Sequence, residues 1–140
     1  MNHILEQKVY FSDTDTYSVV WHGTYLRWIE MGRVEFCQEC GKSLTELEEL
    51  DIFVPVTNIN IRYKASAKLE DIVLIETTVS SFNGFSANFH QIVKSKQDGK
   101  VFIEADVNVV SVHKNGQLYR KMPEVLAELF RKATQCPQYV

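Results

Sequence analysis

Three dipeptides, Asn83-Gly84, Asp98-Gly99 and Asn115-Gly116, constrain the fold of this chain more than any other feature. Each supplies the positive φ angles that a tight hairpin turn demands, and each closes a run with strand character. Residues 71 to 82 are apolar and β-branched. Residues 85 to 96 alternate Phe85, Ala87, Phe89, Gln91 and Val93 with Ser86, Asn88, His90, Ile92 and Lys94. Residues 100 to 112 alternate Val101, Ile103, Ala105, Val107 and Val109 with Phe102, Glu104, Asp106, Asn108 and Val110. An earlier run, 52 to 65, puts Ile59, Ile61 and Tyr63 on one face and Val56, Asn58, Asn60 and Arg62 on the other, with Pro55 near its start. The four runs are predicted to form an antiparallel four-strand meander.

The remaining elements surround that meander. Residues 5 to 12 read as a short first strand, with Val9 and Phe11 set against Lys8 and Tyr10. From Thr24 to Cys40 the spacing of Tyr25, Trp28/Ile29, Gly32, Phe36 and Cys40 gives one apolar helix face, and Leu26, Met31, Val34 and Cys37 spread apolar surface around the other sides. Arg27, Glu30 and Arg33 leave it a narrow polar edge, so a curved sheet should wrap it. Gly41 stands where a helix C-cap is expected, and Ser43 caps a short helix over 44–50. A last amphipathic helix starts at Pro123, carries Val125/Leu126, Leu129/Phe130 and Ala133, and ends at Gln135-Cys136-Pro137. One strand, a central helix, a meander and a terminal helix make a single α+β domain over residues 1–140.

At 140 residues with 45% hydrophobic and 24% charged residues, the chain is long enough to bury a core without staples. A formal net charge of −3 removes the general attraction on which nucleic-acid binding depends. No apolar run approaches a membrane span, and the N-terminus lacks the apolar core of a secretory signal, so the cytoplasm is the expected location. The odd cysteine count, 3, makes no disulfide framework. Cys37-x-x-Cys40 sits at the C-terminal end of its helix, where the dipole opposes a thiolate, and Cys136, His3, His90 and His113 offer no paired spacing for zinc. Neither a metal nor a cofactor is expected.

The chemistry concentrates between Val9 and Tyr25. Asp13 and Asp15 flank Thr14 directly after a strand. If strand register persists, both carboxylates lie on one side and can shift each other's pKa, which suits acid–base work; as turn residues they simply bond nearby backbone amides. An aspartyl-phosphate site is disfavoured by Tyr17 at the fifth position and by the hairpins. A calcium loop is disfavoured by Ser18 and Thr24 where Gly and Glu are needed. His22 stands just before Gly23-Thr24 at the mouth of the long helix, where unpaired amides can hold a developing oxyanion, although Thr24 can equally act only as a cap. There is no Gly-rich phosphate loop and no Gly-x-Ser-x-Gly. Basic residues gather at Arg62, Lys64 and Lys68 and again at Lys114, Arg120 and Lys121; each cluster reads first as a solvated face, and together they can also meet the phosphates of a nucleotide-bearing substrate at a site edge.

The order Asp13-Thr14-Asp15, then Val19-Val20-Trp21-His22-Gly23-Thr24-Tyr25, then Arg27-Trp28-Ile29-Glu30 closely resembles the 4-hydroxybenzoyl-CoA thioesterase family of hot-dog fold proteins, and within it the acyl-CoA thioesterase branch associated with the Tol-Pal gene cluster. The resemblance implies a long helix wrapped by a curved antiparallel sheet of about five strands. It also implies a homodimer or homotetramer, two subunits pairing their sheets edge to edge, and active sites at the interface. The implied substrate is an acyl-CoA or an acyl-carrier protein, cleaved to a carboxylic acid and a free thiol. Asp15 matches the family's nucleophile or general base, and His22 the residue whose backbone amide receives the oxyanion. Tyr25 matches a packing or positioning tyrosine, and Asp13 an acidic structural position. Gly23 and Thr24 belong to the same helix start, and Tyr17 and Trp21 shape the acyl pocket. The chain departs from the pattern at Thr16-Tyr17-Ser18, where relatives carry small residues and a Gly; Ser18 takes a strained turn less easily than Gly. Hydratase or dehydratase chemistry on an acyl thioester, or a non-catalytic acyl-thioester-binding module, are the alternatives.

Overall fold

Strands β3 (Ile72–Phe82), β4 (Ala87–Ser95) and β5 (Val101–Val109) pair antiparallel in chain order, as the turn dipeptides predict. Gly84, Gly99 and Gly116 all take positive φ, at 89°, 75° and 91°. In the computed structural model, which describes residues 2–135, the sheet has five strands in the order β1-β3-β4-β5-β2, where β1 is Asn2–Lys8 and β2 is Val56–Tyr63.

The predicted four-strand meander is therefore three strands long. β2 pairs with β5, Ile59 opposite Val107 and Tyr63 opposite Ile103, and occupies the far edge of the sheet. The reason lies in the segment between β2 and β3. It has no two-residue hairpin turn, and it is instead tied to the N-terminal part of the chain: Val9 N donates to Asp71 O, Val20 N to Ala67 O, and Ala67 N to the Tyr25 hydroxyl. β1 takes the free edge of β3, from Asn2 opposite Thr78 to Lys8 opposite Ile72. That strand begins and ends earlier than predicted. The Asp13 carboxylate accepts from Tyr10 N and curls Phe11–Asp13 into a 3-10 turn, leaving Val9 buried and Phe11 exposed.

Helix α1 (His22–Glu39) lies across the inner face of the sheet. Tyr25, Trp28, Ile29, Gly32 and Phe36, spaced three and four apart, are buried with Val73, Ile75, Val79, Phe89 and Val107. Each large side chain so buried contributes roughly 1.5–3 kcal/mol. α1 starts two residues earlier than predicted. Trp21, with an extended backbone, is the N-cap, and Thr24 donates its hydroxyl to Asp13 O rather than capping. Gly41 follows the C-cap residue Cys40 with a φ of +101°, the left-handed turn that stops the helix. Helix α2 (Leu44–Glu49) opens with the Ser43–Glu46 capping box. Helix α3 (Glu124–Gln135) buries Leu126, Ala127, Leu129, Phe130 and Ala133, with Phe130 edge-on to Phe89. Its predicted stop at Cys136-Pro137 lies outside the described residues.

The polar edge predicted for α1 is also partly inward. Arg27 and Glu30 are exposed, whereas Arg33 is half-buried and donates to Gln91 Oε1 at 2.9 Å. Gln91 and Thr77 are fully buried beneath the helix, and Gln91 Nε2 donates to Ile29 O at 2.7 Å and Thr77 Oγ1 at 2.9 Å. Burying these groups is tolerated because each finds a partner.

Candidate active site

Asp13 and Asp15 do not share a face. Asp13 is buried; one carboxylate oxygen accepts from Tyr10 N, the other from Arg27, and its carbonyl accepts from Trp21 N and the Thr24 hydroxyl. Both oxygens are committed, and they clamp the turn to the start of α1. Asp15 is half-exposed and begins a small hairpin closed by the Thr14–Val20 bridge. Ser18 N donates to Asp15 O at 3.0 Å, Asp15 N donates to Val19 O at 2.9 Å, and Oδ1 of Asp15 accepts from Tyr17 N at 2.8 Å. That leaves Oδ2 without a protein partner among the described residues. Asp15 lines a depression of about 440 Å³ together with Phe11, Thr14, Ser18 and Leu69.

The hairpin turn shows what the Thr16-Tyr17-Ser18 departure does. Ser18 sits at φ +64°, a left-handed position that glycine occupies without steric cost. Tyr17 projects at the tip, 85% exposed. Ser18→Gly should therefore stabilise the protein by about 1 kcal/mol, the left-handed penalty less the extra freedom of glycine in the unfolded chain. Chemical denaturation reads this directly, and an unchanged or lowered stability contradicts it.

At the other side of the turn, His22 and Gly23 are the first two residues of α1, so their amides have no intrahelical acceptor and carry the positive end of the helix dipole. Trp21, half-exposed, folds its indole over this point. A Cβ on Gly23 would lie 2.3 Å from the ring, so any larger residue there displaces the indole from this position. His22 is exposed, with its ring 5.1 Å from Trp21 and 6.4 Å from Tyr63, and its carbonyl accepts from the Tyr63 hydroxyl at 3.0 Å. Tyr25 is buried edge-on to Trp28, and its phenol is pushed up by burial while it accepts from Ala67 N. Its place is that of an anchor.

The two basic groups lie at opposite ends of β5. Arg62 and Lys64 both pair with Glu104 on the outer face of the sheet, where His90 also meets Glu104. Arg120 and Lys121 are exposed beside Tyr119, whose amide donates to Ser111 O, seven residues along from Glu104 and up to about 23 Å away at strand rise. Cys37 is buried, which pushes its thiol up to about 12, consistent with an inert core cysteine. No group of three potential metal ligands occurs among the described residues, and no helix there is long and apolar enough to cross a membrane.

A second concavity, about 330 Å³, runs between the middle of α1 and the start of β2, with Glu30 and Arg33 among its lining residues. Sequence reading missed it. One signal was present: Gln91 interrupts the otherwise apolar inward face of β4, which requires a polar partner to reach it through the core.

A long helix wrapped by a curved five-stranded antiparallel sheet, with an aspartate turn at the helix start, is the architecture of a hot-dog thioesterase. A family model described as the thioesterase-like superfamily matches residues 9–130, and the chain belongs to this family. The acyl-CoA thioester hydrolase YbgC of Escherichia coli O6:H1 is 29% identical over 125 residues, 89% of this chain and 92% of the relative. The acyl-CoA thioesterase YbgC of Haemophilus influenzae is 36% identical over 85 residues, 60% of this chain and 62% of the relative. Among solved structures, a 1,4-dihydroxy-2-naphthoyl-CoA thioesterase from Synechocystis superposes with a TM-score of 0.83 at 17% identity, covering 96% of each chain. At that identity it attests the fold.

Proposed function

We propose that the protein hydrolyses acyl-CoA thioesters, with Asp15 as the reacting carboxylate. The observation that carries this reading is the contrast between the two aspartates: Asp13 is buried with both carboxylate oxygens hydrogen-bonded, whereas Asp15 has one oxygen without a partner among the described residues and lines an open depression that also includes Phe11 and Leu69. Asp15 either takes a proton from the water that adds to the thioester carbonyl, or adds itself and forms a mixed anhydride that water then opens, regenerating the carboxylate. The C–S bond breaks, the thiolate leaves and takes up a proton, and the acid is released. The amides of His22 and Gly23 hold the oxyanion, helped by the dipole of α1. Tyr17 and Trp21 border the entering substrate.

Neither concavity is lined by both Asp15 and the first residues of α1. This favours a site completed by a second copy. β2 is the natural contact, since it is an edge strand and nearly all of its residues are exposed. In a two-fold edge-to-edge pair β2 runs antiparallel to its copy, so the Val56 end of each strand comes beside the Tyr63 end of the other. Arg120 and Lys121 of one chain then approach the Arg62 and Lys64 end of its neighbour, where together they can meet the phosphates of coenzyme A. Release of free thiol from a panel of short, long and aromatic acyl-CoAs tests the activity; absence of turnover with all of them, or hydration of an enoyl-CoA without thiol release, overturns it.

A further inference from the structure

The groove between α1 and β2 is walled by Val34, Cys37, Val54, Val56 and Phe89, and Arg33 is its cationic side. The setting of Arg33 is unusual for a guanidinium. Among the described residues its one hydrogen bond goes to a neutral acceptor, Gln91 Oε1 at 2.9 Å, although the group carries five donors. Among the described residues no carboxylate pairs with it within 4.0 Å. Glu30, exposed at the rim, acts on it only at longer range. Burial pulls the guanidinium below its ordinary value, with Glu30 and Cys37 acting in the opposite direction. The bond to Gln91 gives the guanidinium one structural task, but its other donors have no partner among the described residues, and a half-desolvated cation beside an apolar groove is costly without a counter-ion.

We propose that Arg33 selects the acyl group, and that the groove takes a CoA-linked acyl chain ending in a carboxylate, whose two oxygens meet the guanidinium. This rests on the thioesterase reading and names the substrate class within it. The groove lies within reach of the reacting centre. Along one chain, Glu30 is eight residues from His22, about 12 Å at helix rise. In the edge-to-edge pair the groove of one chain, at the Val56 end of β2, opens beside the helix start of the other. The apolar walls then hold the methylenes, and Arg33 reads the end of the chain.

The test compares kcat/KM for adipyl-CoA against hexanoyl-CoA and suberyl-CoA against octanoyl-CoA by thiol release. A charge-assisted pair predicts a preference of roughly tenfold or more for the carboxylated chain. Arg33→Gln should collapse the ratio to about twofold or less, and Glu30→Gln should raise it by removing a like charge. Thermal melting of Arg33→Gln checks that it folds, and the wild-type ratio stands independently of that variant. Equal or better turnover of the alkyl chains overturns the inference while leaving the thioesterase reading intact. So does a ratio that survives Arg33→Gln in a folded variant, or a preference for 6-hydroxyhexanoyl-CoA equal to that for adipyl-CoA. Calorimetry with hexyl and carboxypentyl thioethers of coenzyme A separates the two readings further: Arg33-dependent binding of the carboxylated thioether with no thioester cleaved supports the groove and sinks the hydrolase, and binding of both thioethers alike sinks the groove.

Discussion

Asp15→Asn should lower thiol release by a factor of about 10² to 10⁴, the range over which a positioned acid–base group contributes. The substitution is close to isosteric, and its carbonyl oxygen still accepts from Tyr17 N, so the hairpin between Thr14 and Val20 keeps its shape. Thermal stability should therefore hardly change while the rate collapses. Asp13→Asn is the contrasting variant. It weakens the clamp to Arg27 and so acts on stability before chemistry. Activity within about threefold of wild type for Asp15→Asn, or a stable Asp13→Asn protein with a larger rate loss, removes Asp15 as the reacting carboxylate. The expected pattern depends on surroundings that spacing alone does not reveal, because both residues occur in the same Asp-Thr-Asp triplet.

Gly32→Ala should destabilise the protein by about 2 kcal/mol, even though alanine gains about 1 kcal/mol over glycine in an ordinary helix interior. A Cβ at this position would lie 2.7 Å from Thr77 Oγ1, 2.9 Å from Ile75 Cγ2 and 3.0 Å from Gln91 Nε2. All three belong to side chains that are fully buried beneath α1, so none can swing into solvent. Relief requires α1 to lift from the sheet or Gln91 to turn, and turning Gln91 breaks its bonds to Ile29 O, Thr77 and Arg33. A buried polar group left without a partner costs about 1–3 kcal/mol. Urea denaturation of Gly32→Ala measures the balance; a variant as stable as wild type, or more so, shows that the helix can move at little cost.

These two sites mark where sequence reading reached and where it stopped. The triplet at 13–15 and the helix start at 22–25 were legible because their order against a strand and a long apolar helix is itself a pattern. The division of labour between Asp13 and Asp15 was not, since it depends on Arg27, fourteen residues away in sequence, and on a 3-10 turn that replaced the expected strand register. Gly32 and Gln91 could each be seen as irregularities in their elements. Their common cause, a helix lying so close to the sheet that only a glycine and a polar bridge fit between them, is a contact between residues 43 or more positions apart.

The sequence by itself determined the local geometry of this protein: the hairpin turns at Gly84 and Gly99, the alternation of β3 to β5, the apolar stripes of α1 and α3, and the caps at Ser43 and Gly41. Each of these is governed by dihedral preferences and side-chain periodicity within a few residues. The tertiary structure alone decided that β2 crosses to the far edge of the sheet, that α1 approaches at Gly32, that Arg33 turns inward, and that Arg62 and Lys64 lie apart from Arg120 and Lys121. Those outcomes follow from which surfaces remain to be buried once the local elements have formed, and no short stretch of chain contains that information.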